Sequence, residues 1–152
     1  MALTDNDLKE FEDAQLRVRV PAYLRQRRKI MLFVAPKNRR PGQSLLMFSV
    51  LITRDREQAN AARRAMEIVL PYTWEGVELA IIRQGPATWV PNGYELLGTD
   101  RDAATGEIHH HDLTILFDRA HRTLEARVLG TGTLHEFERL CRVLIHGIQV
   151  LR

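Results

Sequence analysis

Residues 45–53 constrain the fold most strongly, because they place apolar side chains on both sides of one predicted strand. Neighbouring residues of a strand point to opposite faces of a sheet. One side of this stretch carries Leu46, Phe48, Val50 and Ile52, and the other carries Leu45, Met47, Ser49, Leu51 and Thr53. Apolar surface left in water costs about 25 cal/mol per Å². We therefore expect this strand to be covered on both faces.

Hydrophobic periodicity predicts seven strands and two helices, in the order β-β-β-α-β-β-β-β-α. A helix is expected from Asp55 to about Leu70, and a second helix follows the capping box Thr133-Leu-His-Glu136. This order is typical of an α+β fold, a curved antiparallel sheet with two helices packed on one face. The predicted strands cover residues 15–20, 29–34, 45–54, 77–83, 87–97, 108–118 and 123–130.

Composition is that of an ordinary globular protein, with 45% apolar and 27% charged residues. A length of 152 residues indicates a single domain over residues 1–152. The single cysteine, Cys141, excludes an intramolecular disulfide and a cysteine-based zinc site. The polar opening residues lack the pattern of a secretory signal, and the apolar runs are too short for stable membrane insertion. We therefore expect a cytoplasmic protein.

Positive charge is concentrated in residues 17–40, although the net charge is only +3. This segment contains no acidic residue and could contact nucleic acid or an acidic protein. It has few aromatic residues for stacking on bases, so we favour solubility together with loop chemistry as the explanation of the charges and expect no nucleic-acid partner. Its cations are Arg17, Arg19, Arg25, Arg27, Arg28, Lys29, Lys37, Arg39 and Arg40.

Three consecutive histidines, residues 109–111, suggest metal binding or acid–base chemistry at first sight. Strand alternation places His109 and His111 on one face and His110 on the other, so the three cannot share one metal ion. The His135-Glu136 pair lacks the second histidine of a zinc-protease motif. No set of nucleophile, base and orienting group can be assembled. We expect neither a metal site, nor a cofactor, nor enzymatic activity.

The face of the sheet opposite the helices is the more informative feature. Two helices on one face leave the other face uncovered, and in residues 45–53 that face is still largely apolar. The chain's own loops or a second copy could close it. Alternatively, it could receive a helix or a hydrophobic segment of a client protein. The residue pattern leaves these possibilities open.

Several stretches resemble DcrB-like domains, over almost the whole chain from about residue 11 to 151. The resemblance begins with Arg-Val-Arg-Val-Pro at 17–21, a basic link to Ile-Met-Leu-Phe at 30–33, and Phe-Ser-Val-Leu-Ile-Thr-Arg-Asp at 48–55. A helix ending in Val-Leu-Pro, a Gly-Pro-Ala turn at 85–87, paired strands and a closing helix follow in the same order.

Members of this size resemble the Eag chaperones of type VI secretion, which are cytoplasmic homodimers. The resemblance implies a protein that shields the hydrophobic N-terminal segments of a secreted effector, often one with a PAAR domain. Mapping by pattern places on the client side Ile30, Leu32, Met47, Ser49 and Leu51, with polar contacts from His110, Asp112 and Thr114. The alternatives are a basic binding module for nucleic acid or an acidic protein, and an immunity-type inhibitor of a toxin.

Overall fold

The computed structural model describes residues 7–152, so the first six residues of the polar opening lie outside the described part. Two helices are present, α1 (Arg56–Glu67) and α2 (Leu134–His146). The strands are β1 (Leu8–Glu12), β2 (Leu16–Pro21), β3 (Arg25–Gln26), β4 (Leu32–Val34), β5 (Leu46–Ile52), β6 (Thr73–Trp74), β7 (Val77–Ala87), β8 (Gly93–Asp102), β9 (Ile108–Arg119), β10 (Arg122–Gly130) and β11 (Gln149–Val150).

Antiparallel pairing organises these strands into two sheets. The large sheet has the order β3-β4-β5-β10-β9-β8-β7-β6, and the small sheet has the order β1-β2-β11. Register irregularities between Ile81 and Arg83 and between Asp100 and Arg101 mark β-bulges, which bend and twist a strand. The predicted α+β class with a curved antiparallel sheet is confirmed.

The first face of the large sheet carries the hydrophobic core. It is built from alternate residues of β5, β9 and β10, which pack beneath α2 and the small sheet: Leu46, Phe48, Val50, Leu113, Ile115, Phe117, Leu124, Ala126 and Val128. The predicted cap of α2 is confirmed, because the Thr133 hydroxyl accepts a hydrogen bond from the Glu136 backbone N–H. At the other end of α2, Arg119 donates to the carbonyl oxygens of Ile145 and Ile148 at 2.6 and 2.8 Å.

Helix α1 lies on the opposite face, which we call the second face. Its side chains share a cleft with Leu96, Gly98, Asp112 and Thr114, whereas α2 contacts Leu97 and Leu113 on the first face. The expectation that both helices pack on one face was therefore wrong. The small sheet, which the periodicity did not predict in full, covers part of the first face beside α2, and α1 covers β7 and β8 from the other side.

The second predicted strand is shorter than residues 29–34, because residues 27–30 form a tight turn between β3 and β4. The Ile30 backbone N–H donates to the Arg27 carbonyl oxygen, and Arg28 and Lys29 have φ of 53° and 55°. Strands of two to five residues, such as β3 and β6, show too few alternations for periodicity to detect them.

The histidine tripeptide is divided between the two faces, as strand alternation predicts. His111 is 2% exposed, and its ring lies tilted against that of Phe137 of α2, with 5.4 Å between the ring centroids. Its Nε2 lies 3.0 Å from the Gly132 carbonyl oxygen, which can only accept. The proton is therefore on Nε2, and Nδ1 accepts from the Thr99 hydroxyl at 2.8 Å.

A His111→Ala substitution should lower the free energy of unfolding by about 2–3 kcal/mol, because it opens a cavity and leaves buried polar partners unpaired. His109 is exposed, so His109→Ala should change stability by less than about 0.5 kcal/mol. Urea denaturation followed by circular dichroism compares the two variants. Equal losses would show that His111 does not join α2 to the sheet.

Candidate binding face

Three rows of cross-strand partners build the second face, since paired residues of an antiparallel ladder lie on the same face. One row runs through Leu32, Ser49, Arg127, Thr114 and Leu96. The row on one side of it runs through Val34, Met47, Leu129, Asp112 and Gly98. The row on the other side runs through Leu51, Glu125, Leu116 and Tyr94.

The half of the second face over β4 and β5 is apolar. Leu51 is 48% exposed, and Leu32, Val34 and Met47 are partly exposed. Ser49 is the single polar side chain that these two strands contribute to the rows. This half is not covered by either helix, since α1 contacts β7 and β8.

The half over β9 and β10 is polar and charged. Arg127 donates to Asp112 Oδ2 at 3.4 Å, and Thr114 lies beside Arg127 in the ladder. Asp112 Oδ1 is buried and has no hydrogen-bond partner among the described residues. Next to this pair, His110 Nε2 lies 2.7 Å from Asp100 Oδ2. The second face thus changes from apolar to polar across a width of four strands.

Helix α1 forms a wall at the polar side. Between it and the sheet lies a cleft of about 360 Å³. Small and apolar side chains of α1 and the segment after it line one side of the cleft: Ala62, Ala65, Met66, Val69 and Tyr72. The opposite side consists of Leu79, Leu96, Gly98, Asp112, Thr114, Glu125 and Arg127. Gln84 fixes the end of α1 by donating to the Met66 carbonyl oxygen.

The structure brings together most of the residues that the sequence analysis assigned to the client side. Lying on the second face are Leu32, Met47, Ser49, Leu51, Asp112 and Thr114, and His110 lies beside them in its pair with Asp100. Ile30 is the exception, because it belongs to the turn before β4, where it is 53% exposed.

Sequence reasoning missed Arg127, Glu125 and Leu129, which complete the rows. Their alternation in residues 123–130 is a signal that could have identified them. It also missed the wall formed by α1, because both helices were expected on the same face of the sheet. Met66 is the buried residue of α1, and Ala62 and Ala65 of the same helix border the cleft.

Comparison with known proteins supports the fold and no more than the fold. The chain matches no protein-family model and no curated protein. It superposes on the solution structure of cyanobacterial PsbP (CyanoP) from Synechocystis sp. PCC 6803 with a TM-score of 0.52 and 11% identity, over 95% of this chain and 92% of that one. The two proteins share a fold. A mutant of the protein Mog1 gives a TM-score of 0.47 and 13% identity, over 95% and 96% of the two chains.

Metal binding and membrane insertion each require particular residues or elements, and the described part of the chain is residues 7–152. In this range, no three His, Cys, Asp or Glu side chains are grouped so that they could hold a metal ion. None of its helices is long and apolar enough to cross a membrane. The Cys141 thiol is buried in the core beneath α2, and this burial raises its pKa well above the usual range.

Burial governs the electrostatics of the polar half. It raises the pKa of the Asp112 carboxyl, an effect that Arg127 opposes and that Asp100 reinforces. Burial also raises the pKa of the Tyr72 hydroxyl, with further contributions from Asp100 and Asp112. Any additional hydrogen-bond donor that enters the cleft would stabilise the charged form of a carboxylate that is desolvated in this way.

The raised pKa of Asp112 gives its contribution to stability a defined pH dependence. A folded-state pKa above the unfolded value means that the folded protein binds the proton more tightly, so stability from this group is greatest at low pH. It is lost as pH rises from the usual aspartate range through the raised value. The stability of the wild type relative to Asp112→Asn should therefore increase as pH falls from 7 towards 4. Urea titrations at several pH values test this, and a constant or opposite difference would contradict it.

Proposed function

We propose that the protein is a cytoplasmic chaperone or adaptor of type VI secretion. In this proposal it binds and shields the hydrophobic N-terminal segments of a secreted effector, such as one carrying a PAAR domain, before export. The observation that carries the proposal is the second face, whose apolar half lies open beside a walled cleft. The resemblance of the sequence to DcrB-like domains and Eag chaperones supports the same role.

The dimensions of the second face suit a helix. Strands in a sheet lie about 4.8 Å apart, so the four strands from β4 to β9 span about 15 Å between their axes. An α-helix with its side chains is about 10 Å wide, and one that could span a membrane is about 30 Å long. One such helix would lie along the strands, with its sides against Leu32 and Leu51 and against α1.

Hydroxyl-bearing and small residues on both halves of this face and on α1 provide a second property that a membrane segment requires. Helices that associate in membranes use small residues for close approach and hydroxyl or amide groups for hydrogen bonds. Ser49 and Thr114 offer hydroxyls, and Gly98 and Ala62 leave room on the two sides of the cleft. Asp112 Oδ1, which has no partner in the described chain, would accept a bond from a client hydroxyl or backbone N–H.

Burial and release are the whole mechanism in this proposal, and no bond-making chemistry is needed. A few hundred Å² of apolar client surface removed from water contributes several kcal/mol, at about 25 cal/mol per Å². That energy is large enough to prevent aggregation of the client and small enough to be reversed when secretion removes the segment.

The test is co-expression with an effector encoded beside this protein that carries N-terminal apolar segments. Leu51→Glu or Leu32→Asp should abolish co-purification of the effector, because either substitution places a charge in the apolar half. Val143 of α2 is 41% exposed on the other side of the molecule, so Val143→Glu is the matched control and should retain the effector. Unchanged recovery with folded Leu51→Glu and Leu32→Asp proteins would refute the proposal.

A homodimer is part of the proposal, and the segment that follows α1 offers a surface for it. Ile68, Leu70 and Trp74 are 76%, 78% and 67% exposed next to the edge strand β6. Exposed apolar side chains in one short segment are typical of an interaction site.

Trp74→Glu should convert the dimer to a monomer, since it places a charge within this apolar segment. Light scattering coupled to size-exclusion chromatography measures the mass. Leu151, which is 36% exposed near the small sheet, provides the control Leu151→Glu. A Trp74→Glu protein that stays dimeric would exclude this surface.

A further inference from the structure

The turn between β3 and β4 combines backbone strain with positive charge. Arg28 and Lys29 occupy its two central positions, both with positive φ, in the arrangement of a type I′ turn. Such turns strongly prefer Asn-Gly, because side chains with a Cβ are strained in this region. Gln26 supports the turn by donating to the Ile30 carbonyl oxygen at 2.9 Å. Two long cations therefore stand where the backbone favours small residues.

Exposed cations lie along the β3 edge of the large sheet, in this turn and in the loop that follows β4. None of them forms an ion pair with an acidic side chain in residues 7–152: Arg25, Arg27, Arg28, Lys29, Lys37, Arg39 and Arg40. Within the part of the chain that the structure describes, Arg39 donates to the Pro36 carbonyl oxygen. These residues give this edge of the sheet a local excess of positive charge. We call these seven residues the basic edge.

The basic edge is continuous with the apolar half of the second face. Arg25 pairs with Val34, so its side chain lies on the second face, and alternation places Arg27 on the same side next to Leu32. The turn leads directly through Ile30 into β4. A chain lying on Leu32 and Val34 would reach these guanidinium groups without leaving the surface.

We propose that the basic edge binds an acidic stretch that adjoins the apolar segment of the same client. The inference rests on the proposed function and adds a chemical requirement for the client: carboxylates next to its hydrophobic segment. Guanidinium groups hold carboxylates through paired, charge-assisted hydrogen bonds, and five of the seven cations are arginine. The strained turn persists because it presents Arg28 and Lys29 to that stretch.

Nucleic acid fits this surface less well than an acidic peptide. Single strands bind aromatic platforms, but Phe33 is fully buried and the Tyr23 hydroxyl is held by the Ser44 carbonyl oxygen. Farther along the same face, Asp112 and Glu125 would repel phosphates.

The experiment uses two probes on a soluble carrier protein. Each carries a twenty-residue Leu/Ala segment, flanked at both ends by six glutamates in one probe and by six glutamines in the other. The variant Arg28→Asn/Lys29→Gly removes both charges and supplies the preferred turn sequence, so its Tm should equal or exceed that of the wild type. The charge-matched control, Arg139→Gln/Arg152→Gln, changes exposed arginines on α2 and after β11.

At low salt, the turn variant should bind the glutamate probe about fivefold more weakly, the sum of two exposed ion pairs. Its affinity for the glutamine probe should be unchanged, and the control should match the wild type on both probes. An equal effect on both probes, or no effect on either, would overturn the inference and leave the proposed function standing. Failure of the wild type to bind either probe would overturn both. Tighter binding of a labelled single-stranded oligonucleotide, lost in the turn variant, would reassign the basic edge to nucleic acid.

Discussion

The packing of α2 on the first face of the large sheet is the interaction on which the rest of the structure depends. Phe137, Cys141, Leu144 and Ile145 fill the space above β9 and β10, and both ends of the helix are fixed. Thr133 caps its first turn, His111 bonds to the preceding Gly132, and Arg119 satisfies carbonyl groups of its last turn. Arg83 of β7 also connects the sheet to α2, because it forms ion pairs with the buried Glu95 of β8 and with Glu138 of α2. Because α2 packs on the first face, the second face of β9 and β10 does not contribute to this packing.

The sequence predicted the central part of this arrangement because its signals are local. The capping box, the helical stripe after Thr133 and the alternation in residues 45–53 each depend on neighbours along the chain. The placement of α1 could not be predicted in the same way, because an amphipathic stripe does not specify which face of a sheet it meets. The burial of His111 depends on Thr99 and Gly132, which are distant in sequence. The same limit applies to the candidate site. Its strand residues follow from alternation, whereas the cleft requires α1 to lie on the second face.

The second face combines features that a core would not combine. Within residues 7–152, it combines an aspartate oxygen that has no hydrogen-bond partner, an exposed arginine, and a basic edge without ion pairs beside partly exposed leucines. In the proposed function, one kind of occupant would interact favourably with the Asp112 oxygen and with the basic edge: a helix with polar contacts along one side and carboxylates at its end. In the proposed function, the half organised by α2 supports the half that binds the client.

Disulfide trapping tests most directly the central claim that the second face, and not the surface of α2, receives an apolar helix. Cys141 does not interfere, because it is buried and burial raises the pKa of its thiol. An apolar segment on a soluble carrier, with one cysteine at its centre, is oxidised together with a Leu51→Cys or a Val143→Cys protein. The account predicts a rapid cross-link to position 51 and little to position 143. Equal cross-linking at both positions, or a preference for position 143, would contradict it.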